Sequence, residues 1–418
     1  MTELGLGLQT DKRPGEYAAL RGSPRKAGFA VVTTFNDLWF QPALPALLEI
    51  AAATARVRIG PSCLNPFTLH PAEIAGQVAA LDAASDGRAF LGLARGSWLE
   101  PLGVDQSDPV TAVAEAWEVV RRLLAADESG FAGRRFTVPP GERLRYPVRR
   151  PEVPLLVGTW NRGLAAFAGR EARELKVGGS ANPRLVPVMR ELVGNEEVGI
   201  VLGAVTVVDE DGDRARRLAR REVAPYFDVV GGLDPTVSLE PELVARVREL
   251  VRARDHEAAG ALIPADLLDR FAFAGTPEEV AGHAEAVLDA GARRVDFGMP
   301  HGLRAPLPAG AAAALGGHTG SVSEETQLPE LLVGPVESVE EHAGARAPSY
   351  LLQLELGPRG RVETSVERGS YEREELEGAQ VVVALRGEEA LVLGARSHAG
   401  GLVLLRPDRE VEDGTIVS

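Results

Sequence analysis

The chain reads as a (β/α)8 barrel of the TIM type over residues 1–305, a linker at 306–328, and a small all-β domain at 329–418. Three observations predict this. Short apolar runs alternate with helical patterns eight times in the first part, as a barrel or a doubly wound sheet requires. No Gly-x-Gly-x-x-Gly turn follows the first run, which disfavours the doubly wound alternative. After Leu328 the pattern changes to closely spaced strands separated by turn residues, which suits a small β-barrel.

Taken in order, strands are predicted at 4–8, 29–34, 57–61, 89–93, 153–158, 175–179, 199–208 and 294–298. A helical patch begins at 16–20, and a helix at 44–55 leads to the third strand. After that strand, Asn65-Pro66 and His70-Pro71 break regular structure twice, because proline fixes φ, removes a donor and restrains the residue before it. Pro71 suits a first helical turn, Ile74, Val78 and Leu81 follow at helical spacing, and Asp86-Gly87 ends the helix. An amphipathic helix is expected at 113–124, with Trp117, Val120, Leu123 and Leu124 on one side. Long helical segments follow the seventh strand, and Thr276, Pro277 and Glu279 form a capping-box signature before the eighth. In the tail, strands are predicted at 331–339, 350–356, 362–366, 381–385, 390–393 and 402–405, with a helical piece at 372–376.

The net charge of −15 argues against nonspecific binding to nucleic acid or anionic membrane by the chain as a whole. One cysteine, Cys63, excludes an internal disulfide framework and a cysteine-rich metal site, and no metal is expected. No apolar run approaches a membrane span and no leader pattern opens the chain, so a cytoplasmic protein is expected.

Barrel sites are built at the C-terminal ends of the strands. That places Asp37 and Trp39 after strand two, Cys63 and His70 after strand three, and Arg95, Gly96, Trp98 and Glu100 after strand four. Gly158, Thr159, Trp160 and Asn161 follow strand five; Gly178, Gly179 and Ser180 close strand six. Each has a plainer alternative. Cys63 suits a reactive thiol or an inert buried one, and His70 a ligand contact or the residue before a helix-starting proline. Asp37 and Trp39 suit a site or a capped loop, and the glycine turns a phosphate cradle or ordinary connections.

Residues 1–304 resemble the bacterial luciferase-like family of flavin- and deazaflavin-dependent oxidoreductases. The resemblance is carried by Asp37-Leu38-Trp39, Gly60-Pro61-Ser62-Cys63-Leu64-Asn65-Pro66, His70-Pro71, Ser85-Asp86-Gly87-Arg88, Val157-Gly158-Thr159-Trp160 and Gly275-Thr276-Pro277. The tract Lys176-Val177-Gly178-Gly179-Ser180-Ala181-Asn182-Pro183 is most similar to the methylenetetrahydromethanopterin reductase branch. The resemblance implies hydride transfer between the deazaflavin coenzyme F-420 and a small organic substrate, with an FMN-dependent monooxygenase as the alternative. It also implies a non-proline cis peptide backing the coenzyme ring, at Ser62–Cys63 or Cys63–Leu64. Coenzyme contacts would then fall at Ser62, Cys63, Leu64, Arg95, Gly96, 158–161 and 178–180. Asp37, His70 and Trp98 would serve catalysis, and Trp39 and Glu100 would hold substrate.

Residues 329–418 resemble the small tRNA-binding, chaperone-like family of CsaA type, through Val333-Gly334-Pro335-Val336, Ala345-Arg346-Ala347-Pro348-Ser349-Tyr350 and Tyr371-Glu372-Arg373-Glu374-Glu375. This implies an OB barrel, homodimerisation and a tRNA partner, and with them a tRNA- or peptide-binding protein as a third functional class. From Glu330 the tail carries nine arginines, no lysine and seventeen acidic residues, a poor balance for holding phosphates.

Overall fold

The computed structural model describes residues 2–17, 28–300, 330–342, 349–368, 371–386, 389–392, 394–397, 401–404, 407 and 415–416. The chain divides into two compact units, Met1–Ser321 and Val322–Ser418. The expected linker at 306–328 and part of the helical patch at 16–20 lie outside the described residues.

The first unit is a nearly closed parallel barrel. Its strands are β1 (Glu3–Leu8), β2 (Val31–Thr34), β3 (Arg58–Pro61), β4 (Leu91–Ala94), β5 (Leu155–Gly158), β6 (Glu174–Gly178), β7 (Gly199–Val208) and β8 (Arg294–Pro300). They are hydrogen-bonded in the order β3-β2-β1-β8-β7-β6-β5-β4. Single parallel bridges, Ile59 to Ala89 and Leu64 to Leu93, span the remaining gap between β3 and β4. The helices are α1 (Ala43–Ala53), α2 (Pro71–Ala84), α3 (Pro109–Leu124), α4 (Arg162–Glu171) and α5 (Leu185–Val193), one after each of β2 to β6.

Period-two alternation decides what each strand side does. Leu6, Leu8, Val32, Ile59, Leu91, Leu93, Leu175, Val177 and Val295 turn outward into the helix-packed core. The inward positions are mixed: Val31, Phe90 and Leu156 form a small apolar cluster, while on β1 and β8 glycine and large charged groups meet, Gly5 pairing in register with Asp296 and Glu3 with Arg294.

Between β7 and β8 the chain makes a long excursion: α6 (Gly212–Val230), α7 (Pro241–Arg252), α8 (His256–Ala261), α9 (Ala265–Phe271), a short strand Ala272–Gly275 beside β7, and α10 (Pro277–Asp289). It carries a hydrophobic core of its own around Phe227, Val247, Leu268 and Phe271. Sequence reading missed the short strand and a two-stranded hairpin, Phe131–Ala132 with Thr137–Val138. Both are too short to show a period.

At the start of α10 the capping box forms as expected: Glu279 N donates to Thr276 Oγ1 at 3.3 Å, and Thr276 N to Glu279 Oε2 at 2.8 Å. Glu279 also meets Arg216 of α6 at 2.5 Å. Glu279→Ala is therefore expected to cost about 1 kcal/mol. In a thermal melt this reads as a fall of roughly 2–4 °C in the barrel's transition.

The second unit is an antiparallel sheet built on one long strand, Glu330–Glu341. Its first half pairs with Gln380–Arg386 and its second with Ser349–Glu355, with a register shift between Val336 and Ser338. Strands Arg361–Glu367 and Glu389–Val392 flank this pair, and Leu332, Val339, Leu352, Leu354 and Val383 form its core. Among the described residues, no helix is long and apolar enough to cross a membrane.

Candidate active site

The C-terminal end of β3 is the centre of the site. The peptide between Ser62 and Cys63 is cis, at the first of the two positions the resemblance implied. The chain then rejoins β4 through Leu64 N to Gly92 O at 2.9 Å and Ala94 N to Leu64 O at 3.0 Å. The Cys63 sulfur lies against Gly92 and Gly158, where a Cβ on either neighbour would run into it. Those two glycines hold space for the turn and its thiol.

Burial pushes the Cys63 thiol up to about 11, with the nearby Lys176 charge pulling the other way. The thiolate is the reactive form. Iodoacetamide at mildly alkaline pH is therefore expected to alkylate the folded protein on the order of a hundredfold more slowly than a free thiol. Mass spectrometry reads this on the single cysteine. Fast labelling without unfolding would contradict the packing.

Beneath the turn, the barrel interior holds an ion network that sequence reading missed. Glu3 meets Arg58 at 2.5 Å, and Arg58 reaches Glu174 at 3.3 Å. Arg294 bonds Glu174 at 2.5 Å and Asp296 at 2.6 Å, and Asp296 meets Lys176 at 2.8 Å. Burial alone would raise Asp296, yet Arg294 and Lys176 outweigh it and hold the carboxyl well below the usual range. The Lys176 ammonium also lies 5.7 Å from the centre of the Phe35 ring, at the network's upper end.

Loops on either side of β3 meet the excursion to form a cavity of about 270 Å³. Asp37, Leu38, Trp39 and Phe40 come from the loop after β2, Ser97 and Trp98 from the loop after β4, Pro225 and Tyr226 from α6, and Val251 from α7. Asp37, Trp39 and Trp98 are thus brought together. A larger depression of about 420 Å³ at the turn between α6 and α7, around Gly232, Leu239 and Arg248, contains none of these groups.

Asp37 accepts a hydrogen bond on Oδ2 from Gln9 Nε2 at 3.1 Å. Burial pushes its carboxyl up, and the Gln9 bond only partly offsets that. Tyr226, which sequence reading did not select, is raised to about 12, first by burial and then by the Asp37 charge. Its ring meets Trp98 edge-on at 5.5 Å between centroids, and Trp98 adopts a left-handed φ of 55°. Trp39 stays 78% exposed at the rim.

The other expected contacts are distributed around the same end of the barrel. Thr159 Oγ1 accepts from Asn161 N at 2.8 Å, and Asn161 Oδ1 caps α4 by accepting from Leu164 N at 3.1 Å. Trp160 Nε1 donates to Gly178 O at 3.0 Å. Gly179 N and Ser180 N both donate to Gly203 O, at 2.7 and 3.2 Å, so these two amides are engaged within the fold and do not form a free anion cradle. At Gly178, in contrast, a Cβ would meet nothing within 4 Å, so the exposed backbone there borders open space. With the first turn of α4 beside it, this edge fits a phosphate-bearing coenzyme.

Asn182 closes the tract: its Nδ2 donates to Asp234 Oδ2 at 2.8 Å and Thr236 Oγ1 at 2.7 Å, and its Oδ1 accepts from Arg270 at 3.1 Å. The loop after β6 is thereby tied to the excursion.

His70 caps α2, its Nδ1 accepting from Ala72 N at 3.2 Å, and its ring meets Phe136 edge-on at 5.8 Å. It does not line the Asp37 cavity, nor does Glu100, which sits exposed in a single 3-10 turn. Arg95 and Gly96 are held by Gln106 Nε2 through their carbonyls, at 2.7 and 3.1 Å, and Arg95 is exposed. In the second unit, Arg361, Arg368 and Arg373 are each ion-paired to glutamates.

Residues 25–294 match the family described as luciferase-like monooxygenase. The 5,10-methylenetetrahydromethanopterin reductase of Methanopyrus kandleri is 26% identical over 335 residues, 72% of this chain and 94% of the relative. The F-420-dependent glucose-6-phosphate dehydrogenase of Kineococcus radiotolerans is 27% identical over 275 residues, 62% of this chain and 77% of the relative. Among solved structures, the coenzyme F-420-dependent tetrahydromethanopterin reductase from Methanopyrus kandleri superposes with a TM-score of 0.67 at 23% identity, covering 75% of this chain and 97% of that one. A barrel with the cis turn after β3, glycine-lined strand ends and this span of matching residues identifies the chain as a member of the luciferase-like monooxygenase family.

Proposed function

We propose that the barrel is an oxidoreductase that exchanges a hydride between deazaflavin coenzyme F-420 and a small organic substrate, with Asp37 moving the accompanying proton. The observation that carries this is the Asp37 cavity, built from the loops flanking the cis turn at β3. The two relatives named above and the superposed reductase structure favour F-420 over FMN, since two of the three are described as dependent on it.

A bound deazaflavin supplies the hydride chemistry. The protein's part is placement and proton handling. Ser62, Cys63 and Leu64 offer a flat backbone surface at the turn, and Gly178 with the first turn of α4 offers room for the phosphate. Asp37 presents Oδ1 to the substrate while Gln9 fixes Oδ2. Trp39, Trp98 and Tyr226 supply aromatic walls beside Asp37 against which a substrate would pack. A ketone then takes hydride at carbon and the Asp37 proton at oxygen to give an alcohol, and the reverse sequence oxidises an alcohol.

Fluorescence titration of the purified chain with F-420 and, separately, with FMN tests the proposal. Saturable binding of F-420 alone is expected. Tight FMN binding instead would favour a monooxygenase that uses oxygen, and binding of neither would remove the enzymatic proposal. The second unit enters only as an appended antiparallel module. Among its described residues Arg361, Arg368 and Arg373 are already paired with glutamates, and labelled-tRNA binding measured against salt tests whether the module holds a phosphate backbone.

A further inference from the structure

The cavity walls say what kind of molecule enters. Seven of the nine lining residues are apolar or aromatic, and three of them, Trp39, Trp98 and Tyr226, present flat rings. Such rings recognise planar or cyclic faces by stacking and edge contacts. The polar groups of the lining are the Asp37 carboxyl and the Tyr226 and Ser97 hydroxyls. A second anion brought into this cavity would sit beside the half-buried Asp37 carboxyl, whose charge opposes it. Volume sets the size: an apolar cavity of about 150 Å³ holds benzene, so about 270 Å³ holds one ring or two fused rings.

We infer that the substrate is an uncharged ring compound of one or two rings, bearing a single carbonyl or hydroxyl group directed at Asp37. This deepens the oxidoreductase proposal and rests on it for the reaction. It separates the chain from its phosphosugar-oxidising relative: a sugar phosphate would bring a dianion and a hydroxyl-covered surface against Trp39 and Trp98. The neutral ring instead replaces water on those faces, and its one oxygen meets the one acidic group.

Four tryptophans, Trp39, Trp98, Trp117 and Trp160, make the cavity directly observable. The full chain is labelled with 5-fluorotryptophan, and its fluorine signals are assigned with single Trp→Phe variants. It is then titrated, with and without F-420, using 1-tetralone, 1-naphthoate and glucose 6-phosphate. Saturable shifts of the Trp39 and Trp98 signals with 1-tetralone are expected, with Trp117, which packs in the barrel core, unmoved. The two anions are expected to leave Trp39 and Trp98 unmoved.

Trp39→Ala should weaken 1-tetralone about tenfold, and circular dichroism should match the parent because Trp39 lies at the rim. Asp37→Asn should admit 1-naphthoate at least tenfold more tightly, since it removes the repelling charge. Shifts caused by glucose 6-phosphate, or none by 1-tetralone in either state, would overturn the inference. F-420 binding without a tetralone response rejects the substrate class and leaves the coenzyme proposal standing. A tetralone response without F-420 binding does the reverse.

Discussion

Asp37→Asn is expected to lower turnover by about 10²–10⁴-fold, the range over which a positioned proton donor acts, with F-420 affinity changed little. Asparagine keeps the shape of the side chain and its contact with Gln9, but carries no transferable proton. In the direction of ketone reduction, the parent rate should fall as pH rises past the elevated Asp37 value, and that limb should be missing in the variant. The same substitution is expected to raise the melting temperature at neutral pH. Burial lifts the native carboxyl above its unfolded value, so the folded protein binds this proton more readily than the unfolded chain. Ionised Asp37 therefore destabilises the fold above its native pKa, and the penalty fades as pH falls through that value toward the unfolded one. The variant's advantage should be full in neutral solution and gone below about pH 4. Unchanged turnover, or a melting temperature lowered at every pH, would refute the assignment.

Arg294→Met is the second large effect, expected to cost about 3–5 kcal/mol because Glu174 and Asp296 lose their shared partner inside the barrel. The side chain is fully buried, and its planar fork meets both carboxylates at once. Lysine cannot reproduce that fork, so Arg294→Lys should recover only part of the loss. Acid behaviour gives a separate signature. Asp296 is held well below its unfolded value, so its contribution is present above the unfolded pKa and is lost as pH falls through the native one. Arg294→Met should flatten that dependence. Arg58→Met, at a side chain 36% exposed, makes the comparison: urea denaturation showing equal losses at both positions would rule out the buried network as the stabilising element.

The barrel was legible because the strands' outward residues are apolar and several helix starts carry a signal, as at Pro71, Asn161 and Thr276. The site was legible only in part. Asp37, Trp39 and Trp98 follow strand ends, and the cavity joins them. Tyr226 lies in the middle of a long amphipathic helix, where an aromatic at that spacing reads as core. The Lys176, Arg294 and Asp296 network was hidden for another reason. Between Leu175 and Val177, or Val295 and Phe297, a charged residue reads as the solvent side of an alternating strand. Only closure of the barrel turns that side inward. Charges at alternate positions on two such strands, Glu174 with Lys176 and Arg294 with Asp296, were the signal available. Engagement of the Gly179 and Ser180 amides by Gly203 depends on a neighbouring strand and left no local trace.

The excursion between β7 and β8 packs around its own apolar centre, and the walls of the Asp37 cavity come from it and from two loops. None of those nine wall residues takes part in the ion network inside the barrel. The cavity wall and the buried ion network are therefore built from different residues. A library confined to the exposed Leu38, Trp39 and Phe40 can vary the cavity wall without touching that network.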